Sequence, residues 1–443
     1  MYKKFKKNPK KLQNYASTII PGTSQLFGKK PELYLPGGEW PTYYSKAKGV
    51  NVWGVNNKKY IDFTMVGIGT SVLGYSDPDV NKTAIQALRR SPMNTLNAPE
   101  EVELAELLIK LHPWAESVRY CRTGGESMSI AIRLARAFTK KDKVLFCGYH
   151  GWHDWYLSAN LRSKLSLNNH LLPGLEPLGV PKGLRNSVLP FKFNDFDDLE
   201  KNVRKKAKYC AAIVIEPCRE ILPSKRYLYE LKKIAKQNKC ILIFDEITSA
   251  WRTSTSGIHM DIGVNPDIAV FGKTIANGFA MGAIIGKKKI MQNVTRTFIS
   301  SAFWTERIGP SCALTFIKKH KRLNIGKILN KKGRKIKDIW LDAARNANIN
   351  ITIKGINPLA SFKLHTKDWR ITNTYFIQEM LKRKILASDR CYSNYMHSDK
   401  LIKIYQNACY EIFEKISKLE KRNLILRNLD GPKKQMDFGR LTN

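Results

Sequence analysis

The sequence predicts an α/β fold built on a mostly parallel sheet, and three observations carry that reading. Short apolar, β-branched runs at 143–147, 211–215, 241–244 and 268–271 have the composition of strands buried on both faces. Helical patterns at 127–141, 199–206 and 225–237 alternate with these runs, which is the repeat of a parallel sheet with crossover helices. Two of the runs also end in charged chemistry: Asp245 and Glu246 follow one, and Lys273 follows another after Gly272. Open sheets of this class place their ligands at such strand ends.

The composition sets bounds on the rest. A chain of 443 residues, 43% hydrophobic and 26% charged, holds two domains or one large domain with an appendage. No stretch approaches ~18 consecutive apolar residues, so no transmembrane helix is expected. The basic start of the chain lacks the apolar core of a secretory signal, and a cytoplasmic location is expected. Eight cysteines include no C-x-x-C pair, and most interrupt apolar runs. Neither a disulfide framework nor a metal site is therefore indicated.

The formal net charge of +39 raises nucleic acid or an anionic membrane as a partner. The basic clusters, at 3–7, 287–289, 318–322 and 331–335, are scattered along the chain and lack interleaved aromatics. Weak adhesion to polyanions at low salt is expected rather than specific nucleic-acid recognition. A non-catalytic polyanion binder is the alternative from another class, and it requires binding that survives ~200 mM salt.

In chain order, residues 1–48 carry proline and glycine punctuation and read as an arm with turns. Residues 49–63 read as a β-hairpin around Asn56-Asn57, a pair that tolerates positive φ. Glycine-rich VGIGTSVLGY follows, and Ser76-Asp77-Pro78 opens a helix towards Arg90. A second helix is expected over 99–112, capped at Asn97 or its neighbour, with Val102, Leu104, Leu107 and Leu108 on its apolar face. Next comes a strand ending near Arg122, the turn Thr123-Gly124-Gly125, and the helix at 127–141. A glycine-bearing turn at a helix start is a phosphate site, because free amides and the helix dipole both face the anion.

The strand 143–147 ends in Gly148-Tyr149-His150-Gly151-Trp152-His153. The aromatic Tyr149 could lie on a planar ring, and His150 and His153 read as hydrogen-bonded structural histidines rather than metal ligands. Residues 160–195 read as a long surface excursion. The strand 211–215 ends in Glu216-Pro217, and the helix 225–237 leads into the strand ending at Asp245. Beyond Gly286 a polar connector precedes a helix from Cys312, then strands at 350–353 and 359–364 and helices at 374–382 and 399–422. The domain organisation expected is an arm and hairpin (1–60) associating with a small C-terminal α+β domain (309–443), around a large domain (61–308).

A carboxylate and a lysine at two buried strand ends suit pyridoxal phosphate. That cofactor needs a lysine for its Schiff base and an acidic partner for its pyridinium nitrogen. One lysine among 76 basic residues carries little by itself; the phosphate turn and the aromatic in the right order carry the rest.

The ordered set T-G-G-E-S, G-Y-H-G, I-E-P, F-D-E-I and F-G-K-T closely resembles the class III, fold-type I aminotransferases, within them the glutamate-1-semialdehyde aminomutase-like branch. The resemblance implies a large PLP-binding domain plus a smaller one. It implies that Gly124 and Gly125 bind the phosphate, with Thr123 at the edge of the cradle. Tyr149 and Ile247 would cover the two ring faces, Asp245 would pair with the ring nitrogen, and Lys273 would carry the internal aldimine. Glu216 matches the family's strand-end glutamate near the cofactor. Trp304-Thr305 lines up with a Gly-Thr whose threonine reaches the neighbouring subunit's phosphate, which implies a homodimer with shared sites.

The chain departs from the true aminomutase. Gly67-Ile68 stands where that enzyme has Ser-Trp, residues 33–40 offer no arginine for a substrate carboxylate, and Cys218-Arg219-Glu220 replaces an expected asparagine. The function expected is amino transfer from an amino-acid donor to a keto or aldehyde acceptor, by family analogy a sugar or surface-polysaccharide precursor. The aminomutase itself is the alternative.

Overall fold

The computed structural model describes residues 5, 7–37, 40–163, 166–168, 174–218 and 221–435. Lys3, Lys4 and Lys6 of the basic start, Gly38 and Glu39 of the 33–40 stretch, Pro173 of the surface excursion, and Arg219 and Glu220 after the Glu-Pro pair lie outside the described residues.

The chain divides into two units, 78–327 and a second made of 1–77 with 328–443. The boundaries therefore fall at 77 and 328 rather than at 60 and 309. Residues 66–75 stay with the hairpin because Gly49 and Tyr75 exchange backbone hydrogen bonds, at 2.9 and 2.7 Å. The helix Ile308–Arg322 belongs to the other unit, where Thr315 pairs with Thr83 at 2.8 Å.

Three strands run antiparallel here, β1 (Tyr44–Lys48), β2 (Asn51–Gly54) and β3 (Lys59–Phe63); β2 and β3 form the expected hairpin, with Asn57 at φ 62° in its turn, while β1 lies in the stretch expected as an arm with turns. After it, four consecutive residues, Val66 to Gly69, have φ of 38°, 67°, 58° and 83°. Glycine adopts this left-handed region freely, but the β-branched Val66 and Ile68 do so at a cost. The amide of Gly69 closes the turn onto the carbonyl of Met65 at 2.6 Å.

The unit 78–327 is built on a seven-stranded sheet of β4 (Ser117–Cys121), β5 (Lys143–Cys147), β6 (Val188–Pro190), β7 (Cys210–Ile215), β8 (Ile241–Asp245), β9 (Ile268–Phe271) and β10 (Gly282–Gly286). The spatial order is β4-β10-β9-β8-β7-β5-β6. Every strand runs the same way except β10, which is antiparallel to both its neighbours. All residues of β7, β8, β9 and β10 are buried, which explains why the expected central strands show no alternation.

Two strands of this sheet fall outside the expected set. The three-residue β6 lies inside the stretch expected as a surface excursion. The strand β10 is bounded by glycines that the packing demands: a Cβ on Gly282 would lie 2.4 Å from Ser127 Oγ. The helix Pro99–Leu111 buries Leu104 and Leu108 but leaves Val102 63% exposed, and it begins at Ala98 without a side-chain cap. Its apolar face is narrower than the residue pattern suggests.

The other unit completes its sheets with β11 (Ile351–Lys354), β12 (Leu359–Leu364), β13 (Ile385–Ala387) and β14 (Arg390–Tyr392). Strand β13 pairs parallel with β3, joining the N-terminal hairpin to the C-terminal segment, while β11-β12-β14 form a separate small sheet. Its core gathers Trp340, Phe362, Phe376 and Phe413, and the indole of Trp340 donates to Tyr405 Oη at 2.9 Å.

Candidate active site

Strands β4, β5, β7, β8 and β9 run in one direction, so their C-terminal ends share one edge of the sheet. The turn Thr123-Gly124-Gly125 leaves β4 there, Tyr149 leaves β5, Glu216 leaves β7, Asp245 ends β8 with Ile247 just beyond, and Lys273 leaves β9. The apolar runs that make these strands bury them, and the polar residues that end them therefore meet at the edge.

Asp245 is 3% exposed. Its Oδ2 lies 2.8 Å from Nδ1 of buried His150, and its Oδ1 accepts the amide of Ile247 at 3.1 Å. The far nitrogen of His150 lies 3.2 Å from the Cys147 carbonyl, which fixes the ring between strand end and carboxylate. The amide of Tyr149 donates to Glu216 Oε2 at 2.8 Å. Between them Gly148, at φ 120°, passes so close that a Cβ would lie 2.8 Å from that same oxygen. The Tyr149 ring stands edge-on to Tyr156, with centroids 6.1 Å apart.

Ile247 joins the glycine turn to the lysine. A Cβ on Gly124 would meet Ile247 Cδ1 at 2.8 Å, and one on Gly272 would meet Ile247 Cγ2 at 3.3 Å. Gly124 of the turn and Gly272, the residue before Lys273, thus both pack on the side chain of Ile247, two residues beyond Asp245. Lys273 sits at φ 43° at the start of a short turn, Lys273–Ala276, and its Nζ donates to Thr248 Oγ1 at 2.9 Å. A lysine in the left-handed region is held there by its surroundings, as happens at functional sites.

Thr123 caps the helix Gly124–Thr139 through a reciprocal pair. Its Oγ1 accepts the Glu126 amide at 3.3 Å, and Glu126 Oε2 accepts the amides of Thr123 and Arg122 at 2.8 and 3.1 Å. Burial alone would raise the Glu126 pKa; the amides of Arg122 and Thr123 more than offset it and leave the carboxyl below its ordinary range. Among the described residues nothing accepts from the amides of Gly124 and Gly125, the first two residues of a 16-residue helix and so at its positive end.

Thr305 is exposed, and its hydroxyl donates to the Ala302 carbonyl at 2.8 Å. Its neighbours tie it near the glycine turn: Trp304 Nε1 donates to Glu126 Oε1 at 3.3 Å, and the Arg122 guanidinium reaches the Glu306 carbonyl. Two cavities, of about 430 and 250 Å³, open beside this turn, sharing Ser129, Arg133 and His153. Neither is lined by Asp245 or Lys273, so they are distinct from the strand-end site.

These residues fit pyridoxal phosphate. A buried carboxylate with oxygen capacity left over, a lysine amine on the adjacent strand end and two unclaimed amides match its ring nitrogen, its aldehyde and its phosphate. His150 is the hydrogen-bonded structural histidine the sequence suggests, and only the fold gives its partner, Asp245. Two further contributors, Thr248 and the capping Glu126, carry no sequence signal beyond standing near a motif.

Comparison with known proteins agrees with this chemistry. Residues 36–388 match the family described as aminotransferase class-III. A 3-aminobutyryl-CoA aminotransferase of Cloacimonas acidaminovorans is 28% identical over 417 residues, covering 91% of this chain and 96% of that protein. A glutamate-1-semialdehyde 2,1-aminomutase of Nitrosopumilus maritimus is 34% identical over 305 residues, covering 66% and 68%. A transaminase solved with PLP bound superposes with a TM-score of 0.81 at 20% identity, covering 93% of this chain and 98% of that one. With strand-end acid, lysine and glycine turn on one edge, the chain belongs to the class III aminotransferase family, a pyridoxal phosphate-dependent enzyme of fold type I.

Proposed function

We propose that the protein is an aminotransferase acting on an amino-acid donor and a keto or aldehyde acceptor, with Lys273 and Asp245 as its catalytic residues. The observation that carries this is the convergence of Gly124, Gly272 and Ile247, which gathers the phosphate turn and the two charged strand ends. Pyridoxal phosphate, when bound, supplies an electron sink for the carbanion left when a proton leaves the amino-bearing carbon.

The chain's own residues do the rest. Gly124 and Gly125 would hold the phosphate through their amides, with Thr123 at the rim and Glu216 fixing the Tyr149 backbone. Tyr149 and Ile247 would pack on the two ring faces. Asp245, oriented by His150, would keep the ring nitrogen protonated. Lys273 would hold the cofactor covalently, yield its place to the donor's amine, and then act as the base that takes up and returns the proton.

Thr305 would complete the neighbouring subunit's phosphate site in a homodimer; its exposure beside the glycine turn supports this reading. Eight buried, free cysteines suit a reducing cytoplasm. An acceptor on a sugar or surface-polysaccharide precursor fits the absence of an arginine at 33–40. The aminomutase is a second reading, favoured by relatives of that name at 34% identity.

Borohydride reduction of the cofactor-loaded protein, followed by peptide mass spectrometry, tests the site: the cofactor mass is expected on Lys273, and its appearance on another lysine overturns the assignment. A donor and acceptor screen separates the two reactions. Formation of 5-aminolevulinate from the semialdehyde without added donor would decide for the aminomutase.

A further inference from the structure

The lysine amine has a hydroxyl beside it that the reaction scheme above does not use. Lys273 Nζ lies 2.9 Å from Thr248 Oγ1, and Thr248 is 3% exposed. Its segment is held at several points. Glu246, two residues before it, accepts from Ile258, His259 and Ser249; Ile247 is wedged between two glycines; and the Thr248 carbonyl accepts Arg252 Nε at 3.1 Å. Arg252 is itself 1% exposed, a large cation packed under the loop. The hydroxyl is therefore a fixed post, whereas a lysine amine rides on a flexible four-carbon stem.

We infer that Thr248 is a catalytic residue of this enzyme: its Oγ1 is the acceptor that holds the Lys273 amine in place while that amine serves as the base. This rests on the assignment of Lys273 above. A neutral amine that points one N–H at Thr248 directs its lone pair away from the threonine, towards the proton it must take. Once it has taken that proton, the same contact becomes a charge-assisted hydrogen bond, which is the stronger kind. The hydroxyl thus favours the protonated amine over the neutral one. The N–H bond formed at Nζ takes its proton from the C–H bond that breaks at the amino-bearing carbon, whose electron pair stays on the substrate side; returning the proton breaks that N–H bond and forms a C–H bond.

The test starts from cofactor-free protein, where pH-dependent acylation of Lys273 by acetic anhydride, read on its peptide by mass spectrometry, reports the amine directly. Thr248→Val keeps the shape and removes the acceptor. Its labelling midpoint should fall by about one pH unit, the worth of a hydrogen bond to a charged group. In the loaded enzyme kcat should drop about tenfold with KM unchanged, as expected for losing one such contact in the transition state. Thr248→Ser should restore both. If the valine variant does not fold, Thr248→Ala replaces it in the same assay. Coincident midpoints for threonine and valine, or a serine variant that behaves like valine, would overturn the inference while leaving Lys273 as the labelled lysine. Failure of the Lys273 assignment would show instead as cofactor mass on another residue.

Discussion

Asp245 and Glu246 are consecutive carboxylates at the end of β8, both buried, and each meets a histidine at its Nδ1. Glu246 enters a sealed pocket: it accepts from the amides of Ile258 (2.7 Å) and His259 (2.9 Å), from His259 Nδ1 (2.6 Å) and from Ser249 Oγ (3.0 Å). The Trp114 indole donates to His259 Nε2 at 2.8 Å, so the proton of that imidazole sits on Nδ1, facing Glu246. Burial alone would raise the Glu246 pKa; the paired His259 and the two amides reverse this and leave it lowered. Every acceptor position of Glu246 is used. Asp245 has only His150 and the Ile247 amide among the described residues, which leaves capacity on its oxygens for a ligand. A buried carboxylate is structural when its hydrogen bonds are complete, and a candidate for chemistry when they are not.

The largest expected effect separates the two acids by activity. Asp245→Asn should lower kcat/KM on the order of 10³-fold, about 4 kcal/mol, with thermal unfolding unchanged; an equal loss in a well-folded Glu246 variant would erase the distinction. Next comes stability. Glu246→Ala leaves His259 and two amides without their acceptor and should cost about 3 kcal/mol in urea unfolding, with a far smaller loss of activity per folded molecule than Asp245→Asn.

The sealed pocket should also weaken in acid. His112 stacks on His259 with centroids 5.4 Å apart, and its Nε2 accepts the Gly257 amide at 3.0 Å. Burial lowers its pKa from 6.5 to about 4. The unfolded chain therefore takes up this proton below pH 6.5, while the folded chain resists until about 4. The stability His112 contributes is complete above 6.5 and is lost as pH falls through that window, about 2 kcal/mol by pH 5. Burial lowers His320 and His397 to about 4 as well, so urea midpoints at pH 7.5 and 5 read all three histidines, and His112→Gln should shrink the difference by the His112 share of about 2 kcal/mol. The smallest effect belongs to the open side: Gly124→Ala forces Ile247 to move and should weaken cofactor binding by about 1 kcal/mol, read by titration of the cofactor-free protein.

The strands at 143–147, 211–215, 241–244 and 268–271 were legible because a strand buried on both faces needs only local apolar composition. The helix 225–237 was legible for a similar reason, since Ser224 caps the Tyr227 amide at 3.1 Å just ahead of an amphipathic pattern. The candidate residues Lys273, Asp245 and the glycine turn could be named from motif order. Their convergence could not, because it depends on Ile247 touching two glycines far apart in the chain. Val102 read as core and is exposed, since periodicity says which residues share a face but not how much of that face is covered.

By itself, then, the sequence determined the parallel-sheet class, the charged strand ends and the cofactor chemistry they suit, since all of these follow from residue type and near-neighbour spacing. Tertiary structure alone decided that β10 runs against its neighbours, that residues 1–77 join 328–443, and that His150 and Thr248 stand beside Asp245 and Lys273. Those are pairings between segments remote in the chain, and only the closing of the sheet brings their atoms within hydrogen-bonding reach.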